Sequence, residues 1–375
     1  MNGKDILLRR LRNQGVVGGG AASGKSAGEA GLPEALVAWM GCIQAQDFAQ
    51  AKWAIGVRVP EVSEADVDAA FNEGRILRTH VLRPTWHFVL PSDIRWMLLL
   101  SAPRIRQLSR QYHGRLGIDA VVLRKSRKIL AKALEGGKAL TRGEIAALYR
   151  RAKIDTDDIR MGFLLMDAEL EGLVCSGPRK GKQFTYVLLE ERASRASVLS
   201  PEEAVGELAV RYFSSRGPAT VVDFAWWSGL TVGQAKEGLE AVRGELERVV
   251  MDGQEYWFSE APRYDSAGSA REMPSVLLLP GFDEYTVAYR DRSLMVADEH
   301  VKVSSHGLKP AVVVNGRVAG VWRRVLQKDR VVVEATVFEE VSGKVWDAVK
   351  KEARRYADFA GGKLEFRGKE PRPRG

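Results

Sequence analysis

The feature that most constrains this chain is an order of elements that recurs along it: three helical patterns, then a change of period from 3.6 to two over a pair of short strands. The clearest copy lies in the middle. Val121 to Leu134 reads as an amphipathic helix and is broken by Glu135-Gly136-Gly137. Thr141-Arg142-Gly143-Glu144 is then a capping box that opens a second helix through Ala152. A third helix, from about Thr156 to Glu171, takes its apolar face from Met161, Leu164, Leu165, Ala168 and Leu170. Strands Leu173 to Cys175 and Phe184 to Leu189 follow, joined by Ser176 to Lys182, a connection that reads as too long and too basic for a tight turn. Three helices and a hairpin with a cationic loop make the winged-helix pattern.

The same order returns about eighty residues later. Pro201 to Ser214, Thr220 to Gly229 and the helix opened by Thr231-Val232-Gly233-Gln234 precede strands Leu246 to Met251 and Tyr256 to Phe258, which flank the turn pair Asp252-Gly253. A looser copy stands at the start: helices Asp5 to Arg12, Pro33 to Ile43 and Ser63 to Asn72, then strands Ile76 to Thr79 and Thr85 to Leu90. A helical connector runs from Pro91 to about Gln111, and Ser259 to Ser275 reads as a boundary. Beyond it, Val276 to Leu279, Ala311 to Val314, Arg317 to Val325 and Arg330 to Phe338 read as strands around the Asn315-Gly316 hairpin signal. Lys344 to Ala360 closes the pattern as an amphipathic helix, and the end from Arg367 reads as a solvated tail. The expected fold is therefore α+β, with three tandem winged-helix units (1–112, 113–195 and 196–262) and a C-terminal β-rich domain (263–375).

Composition narrows the partner. The 375 residues carry 57 Lys+Arg against 48 Asp+Glu, a formal charge of +9 that favours a polyanion. Cys42 and Cys175 are the only cysteines, and with five scattered histidines they offer neither a disulfide framework nor metal-ligand spacing. No apolar run approaches a bilayer span and the N-terminus lacks a signal pattern, so the expectation is a cytoplasmic protein; it is also expected to be a monomer and to use no metal or cofactor. Gly19 to Ser26 fits the phosphate-loop formula but follows a charged helix and lacks the buried strand that motif needs, so it reads as a Gly/Ser linker and no nucleotide is expected.

Ile43-Gln44-Ala45-Gln46-Asp47 reads either as the polar C-terminus of an apolar helix, with no chemistry, or as a candidate catalytic segment. Two glutamines two residues apart can aim a pair of amides at one spot if the chain is extended there. Amides can orient a water but cannot remove its proton, which restricts the chemistry to good leaving groups. An N7-alkylated purine is one, because it already bears positive charge.

Four blocks, LVAWMGCIQAQDFAQAKWAIGVR from Leu36, LRTHVLRPTWHFVL from Leu77, LLPGFDEYTVAYRDR from Leu278 and AVVVNGRVAGVWRR from Ala311, together resemble the bacterial winged-helix family of AlkZ-type and YcaQ-type DNA glycosylases. The resemblance implies a catalytic Gln-apolar-Gln motif at Gln44, Ala45 and Gln46, and hydrolysis of N7-alkylguanine or of interstrand crosslinks in double-stranded DNA. Ala45 is smaller than the family's apolar residue, and Pro84 and Trp86 stand where Gly and a smaller apolar residue are expected. Asp47 is a candidate assisting base, and Thr85, His87, Asp283 and Tyr285 are candidate pocket residues. The Asp283-Glu284-Tyr285 cluster reads equally as a buried salt-bridge network. Lys52, Arg58, Arg83, Arg179, Lys180, Lys182 and Arg290 are the candidate DNA contacts. The other reading is a non-catalytic winged-helix DNA-binding protein or regulator.

Overall fold

The computed structural model describes residues 1–16, 33–194, 197–260, 275–302, 304 and 308–369. The phosphate-loop-like segment and His306 lie outside them. Among the described residues, no helix is long and apolar enough to cross a membrane.

The N-terminal segment holds α1 (Gly3–Asn13), α2 (Pro33–Met40), the two-residue strand β1 (Ile43–Gln44), α3 (Phe48–Gly56), α4 (Glu64–Glu73), β2 (Leu77–Val81) and β3 (Thr85–Val89). The helix expected to run to Ile43 stops at Met40, because Gly41 takes a left-handed φ of 72° and turns the chain into β1. β1 pairs with β3 and β3 with β2, all antiparallel, giving the order β1-β3-β2. The long helix α5 (Ile94–Arg115) leads on to α6 (Ala120–Leu134), β4 (Leu140–Thr141), α7 (Arg142–Arg151), α8 (Asp158–Leu170), β5 (Val174–Lys180) and β6 (Gln183–Leu188). Its hairpin corrects the sequence expectation: the strands run through the basic connection and turn tightly at Gly181-Lys182. The extra residues are absorbed in an irregularity between Gly177 and Lys180. Gly177 is required there, since a Cβ would stand 2.5 Å from Thr185 Oγ1.

The next segment contains α9 (Leu189–Arg192), α10 (Pro201–Arg216), α11 (Val221–Ser228), α12 (Val232–Val242), β7 (Glu247–Met251) and β8 (Gln254–Phe258). Capping boxes at Thr141, Ser200, Thr220 and Thr231 start four of these helices, as their sequences require. The C-terminal segment is a five-stranded sheet of order β13-β12-β11-β10-β9, made of β9 (Val276–Leu279), β10 (Ala311–Val314), β11 (Arg317–Leu326), β12 (Arg330–Val337) and β13 (Lys363–Lys369). The short helix α13 (Glu284–Val287) follows β9, and α14 (Gly343–Phe359) carries the chain from β12 to β13, which pair in parallel. Arg367 to Lys369 therefore belong to a strand and not to a solvated tail.

Burial divides the molecule unevenly. Ile118, Leu130, Leu134, Ile145, Tyr149, Leu164 and Val174 form a core private to α6, α7, α8 and their hairpin. The N-terminal segment, the helices around α10 and the C-terminal sheet share one continuous core. Trp53 of α3 donates to the Leu278 carbonyl at 2.7 Å, and its ring meets Tyr356 and Phe359 of α14 at 5.1 Å. The C-terminal sheet is thus welded onto the segment that carries the glutamine pair.

Candidate active site

The chain is extended where the two glutamines need it to be. Gln44 lies opposite His87 in the β1–β3 ladder, and just beyond it the Ala45 amide donates to the Trp86 carbonyl at 2.7 Å. Alternation then sends Gln44 and Gln46 to one face of the strand and the fully buried Ala45 to the other. Gln44 is buried, whereas Gln46 is exposed.

Both amide oxygens are fixed by backbone donors. The Gln46 amide donates to Gln44 Oε1 at 3.2 Å, and the Trp86 amide donates to Gln46 Oε1 at 3.3 Å. This sets the orientation of both side-chain amides, and each oxygen keeps a second lone pair. From behind, Arg78 Nε donates to the Ala45 carbonyl at 2.9 Å while its guanidinium lies 4.3 Å from the Trp86 ring centre. Burial lowers the Arg78 pKa to about 10, which leaves it charged at neutral pH.

Glu284 anchors the motif from the other side. One carboxylate oxygen accepts the Gln44 backbone amide at 2.8 Å. The other accepts Arg216 Nε at 2.9 Å, Arg216 Nη2 at 2.7 Å and Trp227 Nε1 at 3.0 Å. Arg216 also donates to the carbonyls of Met40 and Cys42, so one ion pair with no exposed side-chain surface fixes both ends of the turn into β1. Burial alone would raise the Glu284 carboxyl, but Arg216 and the Gln44 amide outweigh it and hold the group below its ordinary range.

His87 shares the glutamine face and is completely buried. Its Nδ1 faces the Thr85 carbonyl at 3.0 Å and so carries the proton, which leaves Nε2 as an acceptor. That Nε2, Thr79 Oγ1 and Thr85 Oγ1 are buried side-chain atoms without hydrogen-bond partners, and Thr79 is the cross-strand neighbour of His87. Burial, reinforced by Arg83, drives the His87 pKa down to about 3. The unfolded chain takes up a proton near pH 6.5 that the folded chain refuses until about 3, so this contribution to stability is whole above 6.5 and is lost as pH falls. Urea unfolding at pH 7.5 and 5.0 should show the wild type losing about 2 kcal/mol more than His87→Gln over that interval. Equal losses in the two proteins would refute the neutral buried imidazole.

The structure brings Gln44, Gln46, Thr85 and His87 together and sets other expected residues elsewhere. Asp47 is the N-cap of α3, its Oδ1 accepting the Ala49 and Gln50 amides, so one oxygen is committed to the helix. Lys52 does not face a DNA channel: it is buried and paired with Glu64 and Asp68. Arg58 is likewise withdrawn, bound at 2.8 Å by both oxygens of Asp283 and donating to Gln14 and to the Ala54 carbonyl. Asp283 and Tyr285 are therefore buried framework, the latter donating its hydroxyl to the Gly316 carbonyl at 2.6 Å. Both side chains of this bidentate pair are withdrawn from solvent and committed to each other, so neither is available to a pocket.

Arg83 sits half-buried in the β2–β3 turn, with its pKa lowered by burial. Arg179 is half-buried, its guanidinium near Phe48 and Phe184, and Lys180 pairs with Glu144 at 3.3 Å. Lys182 at the hairpin tip and Arg290 remain exposed. Arg78, Arg216 and Trp227 were not singled out from sequence. An arginine closing an otherwise buried helix, as Arg216 closes α10, was the available signal.

Beside Asp47 a groove of about 660 Å³ opens between α3 and the C-terminal sheet, walled by Gln50, Lys309, Trp322, Arg323 and Arg324 among others. As built, the site can orient a polar molecule between neutral amides and a neutral imidazole. It offers no buried, unpaired carboxylate on the glutamine face among the described residues.

A family model described as DNA glycosylase AlkZ-like matches residues 37–359. The chain is 26% identical over 334 residues to an interstrand DNA cross-link repair glycosylase of Streptomyces sahachiroi, covering 85% of this chain and 88% of that one. The solved structure of the Streptomyces sahachiroi DNA glycosylase AlkZ superposes with a TM-score of 0.76 at 23% identity, over 98% of this chain and 99% of that one. The mixed α/β architecture is therefore shared along the whole length, and the resemblance read from the four sequence blocks is borne out.

Proposed function

The chain belongs to the AlkZ-like DNA glycosylase family, and from that premise we propose that it hydrolyses the N-glycosidic bond of N7-alkylguanine-type or interstrand-crosslinked bases in duplex DNA. The observation that carries this reading is the Gln44–Gln46 pair, on one face of an extended segment that Glu284 and Arg78 hold from opposite sides. The free lone pairs on the two Oε1 atoms can each accept a proton of one water, turning its own lone pair toward the sugar. No strong base is required, because the base leaves as a neutral species from a cationic adduct and the barrier is met by placement. His87 Nε2 and the Thr85 hydroxyl supply further neutral polar contacts on that face; as the C1′–N9 bond breaks and the water oxygen bonds to C1′, the neutral base departs and the proton that water sheds passes to solvent beside the exposed Gln46, so no protein group changes charge.

The three helix-and-hairpin segments are, on this reading, winged-helix units that hold the duplex, with Lys182 and Arg290 on phosphates and the protein acting as a monomer. The test is release of modified base from duplex DNA carrying N7-methylguanine or a guanine crosslink. Release from the damaged strands and none from unmodified duplex is expected. Tight binding to undamaged DNA with no release from either substrate would instead establish a non-catalytic DNA-binding protein.

A further inference from the structure

The net positive charge of this protein is localised. The 50 residues from Arg104 to Lys153 carry 14 Lys+Arg against 3 Asp+Glu, while the other 325 carry 43 against 45. The whole excess therefore sits on the end of α5, on α6 and on α7, the part of the molecule with its own core.

On α6 the arrangement is sharpest. Its sequence, AVVLRKSRKILAKAL, contains five cations and no carboxylate. Ser126, Leu130 and Leu134 are buried on one side. Arg124, Lys128 and Lys132 recur at intervals of four on the exposed side, a single row with steps of about 6 Å. Of the five, Arg127 pairs with Asp167 and Glu171, and Lys125 is tied to the Ala152 carbonyl at the end of α7. That second contact brings Arg150 and Arg151, both exposed, alongside the row. Like charges at i, i+4 repel and weaken the helix that bears them, so a row with no interleaved acid is a cost in the free protein. A polyanion removes that cost, because neutralising phosphates releases their condensed counterions.

We propose that the exposed row Arg124, Lys128 and Lys132, flanked by Arg150 and Arg151, is a phosphate-backbone contact surface that grips duplex DNA away from the glutamine site. It lies on helices and not on the Gly181-Lys182 hairpin tip, whose neighbouring cations Arg179 and Lys180 are engaged within the protein. The surface fixes the duplex without reading its sequence, since the side chains proposed to grip it are long cations that meet phosphates and not base edges.

The inference rests on DNA being the substrate, and the experiment separates the two. Affinity for an undamaged, fluorescently labelled DNA duplex is measured against salt for the wild type, for Arg124→Ala/Lys128→Ala/Lys132→Ala, and for Lys344→Ala/Lys350→Ala/Lys351→Ala on α14 as a charge-matched control. The α6 variant should lose roughly 0.9 from the log–log salt slope for each phosphate contact removed, and bind at least about tenfold more weakly at moderate salt. The control should keep a slope near that of the wild type, and neither variant should unfold more readily than the wild type, because all six side chains are exposed and the α6 substitutions only remove like-charge repulsion. An α6 slope equal to that of the wild type, or one that changes only for duplex RNA, overturns the proposal. Base release with an unmoved slope would keep the glycosylase reading and discard this surface; a reduced slope without base release would do the reverse.

Discussion

Gln44→Ala and Gln46→Ala should each slow single-turnover release of an N7-alkylated guanine by about 100-fold or more, while affinity for the damaged duplex stays close to that of the wild type. The size follows from what the amides would do. A water held by one acceptor instead of two loses the orientation that turns its lone pair toward the sugar, and a misplaced nucleophile forfeits most of the advantage of proximity. The two substitutions should also fail to multiply. If both oxygens act on the same water, removing either destroys the arrangement, and the double variant should be little slower than the worse single one. Multiplicative losses would mean that the two side chains act on different atoms. Both variants should fold, because Glu284 holds Gln44 through its backbone amide, which survives the change of side chain. Wild-type rates in both variants would remove the glutamine pair from the mechanism.

The legible part of this chain was whatever local pattern could specify. Capping boxes at Ser63, Thr141 and Thr231 started helices where the sequence placed them. The Asp252-Gly253 and Asn315-Gly316 turns, with φ of 51° and 75° and of 49° and 83°, closed hairpins as expected. Helix α3 was missed because the two polar residues of FAQAKWAIG, Gln50 and Lys52, stand two apart and mark no single polar face, so the period that betrays a helix is absent. Strand β13 was missed because Lys363 to Phe366 is too short to read alone, the end from Arg367 reads as a solvated tail, and its pairing partner is reached only through α14.

The site divides in the same way. The motif requires extension at Gln44 but does not predict it, since the helical pattern runs on through Gly41 to Ile43 where the structure ends the helix at Met40, and the grip on Gln44 is not local at all. Glu284 lies 240 residues from Gln44 and 68 from Arg216, so no local pattern joins them. The same distance in sequence hides the pairing of cations: Arg58 reads as a free DNA contact because its partner Asp283 is 225 residues away. Net charge pointed to a polyanion, but which cations are free to meet one is decided by tertiary pairing.

That buried pair supports the second large prediction. Glu284→Gln should destabilise the protein by about 3–5 kcal/mol, the range seen when one partner of a buried ion pair is removed. The amide would leave the Arg216 guanidinium without its counter-charge. It would also turn an N–H toward either the Gln44 amide or the Arg216 and Trp227 donors, where only an acceptor fits. Arg216→Met alone should cost about as much, by stranding the carboxylate. The double variant should be more stable than the sum of the single losses predicts, because no unpaired charge remains. Urea unfolding of the four proteins measures this coupling, and Glu144→Gln serves as the exposed control, because its pairing with Lys180 is screened by solvent and its loss should shift the transition far less than Glu284→Gln does. Additive losses would show that Glu284 and Arg216 act independently. Base release then separates stability from geometry. In a Glu284→Gln protein kept folded at low temperature, the Gln44 amide has lost its charged acceptor and β1 can shift, so the rate per folded molecule should fall with little change in DNA affinity. An unchanged rate per folded molecule would mean that β3 and Arg78 alone suffice to hold the glutamine pair.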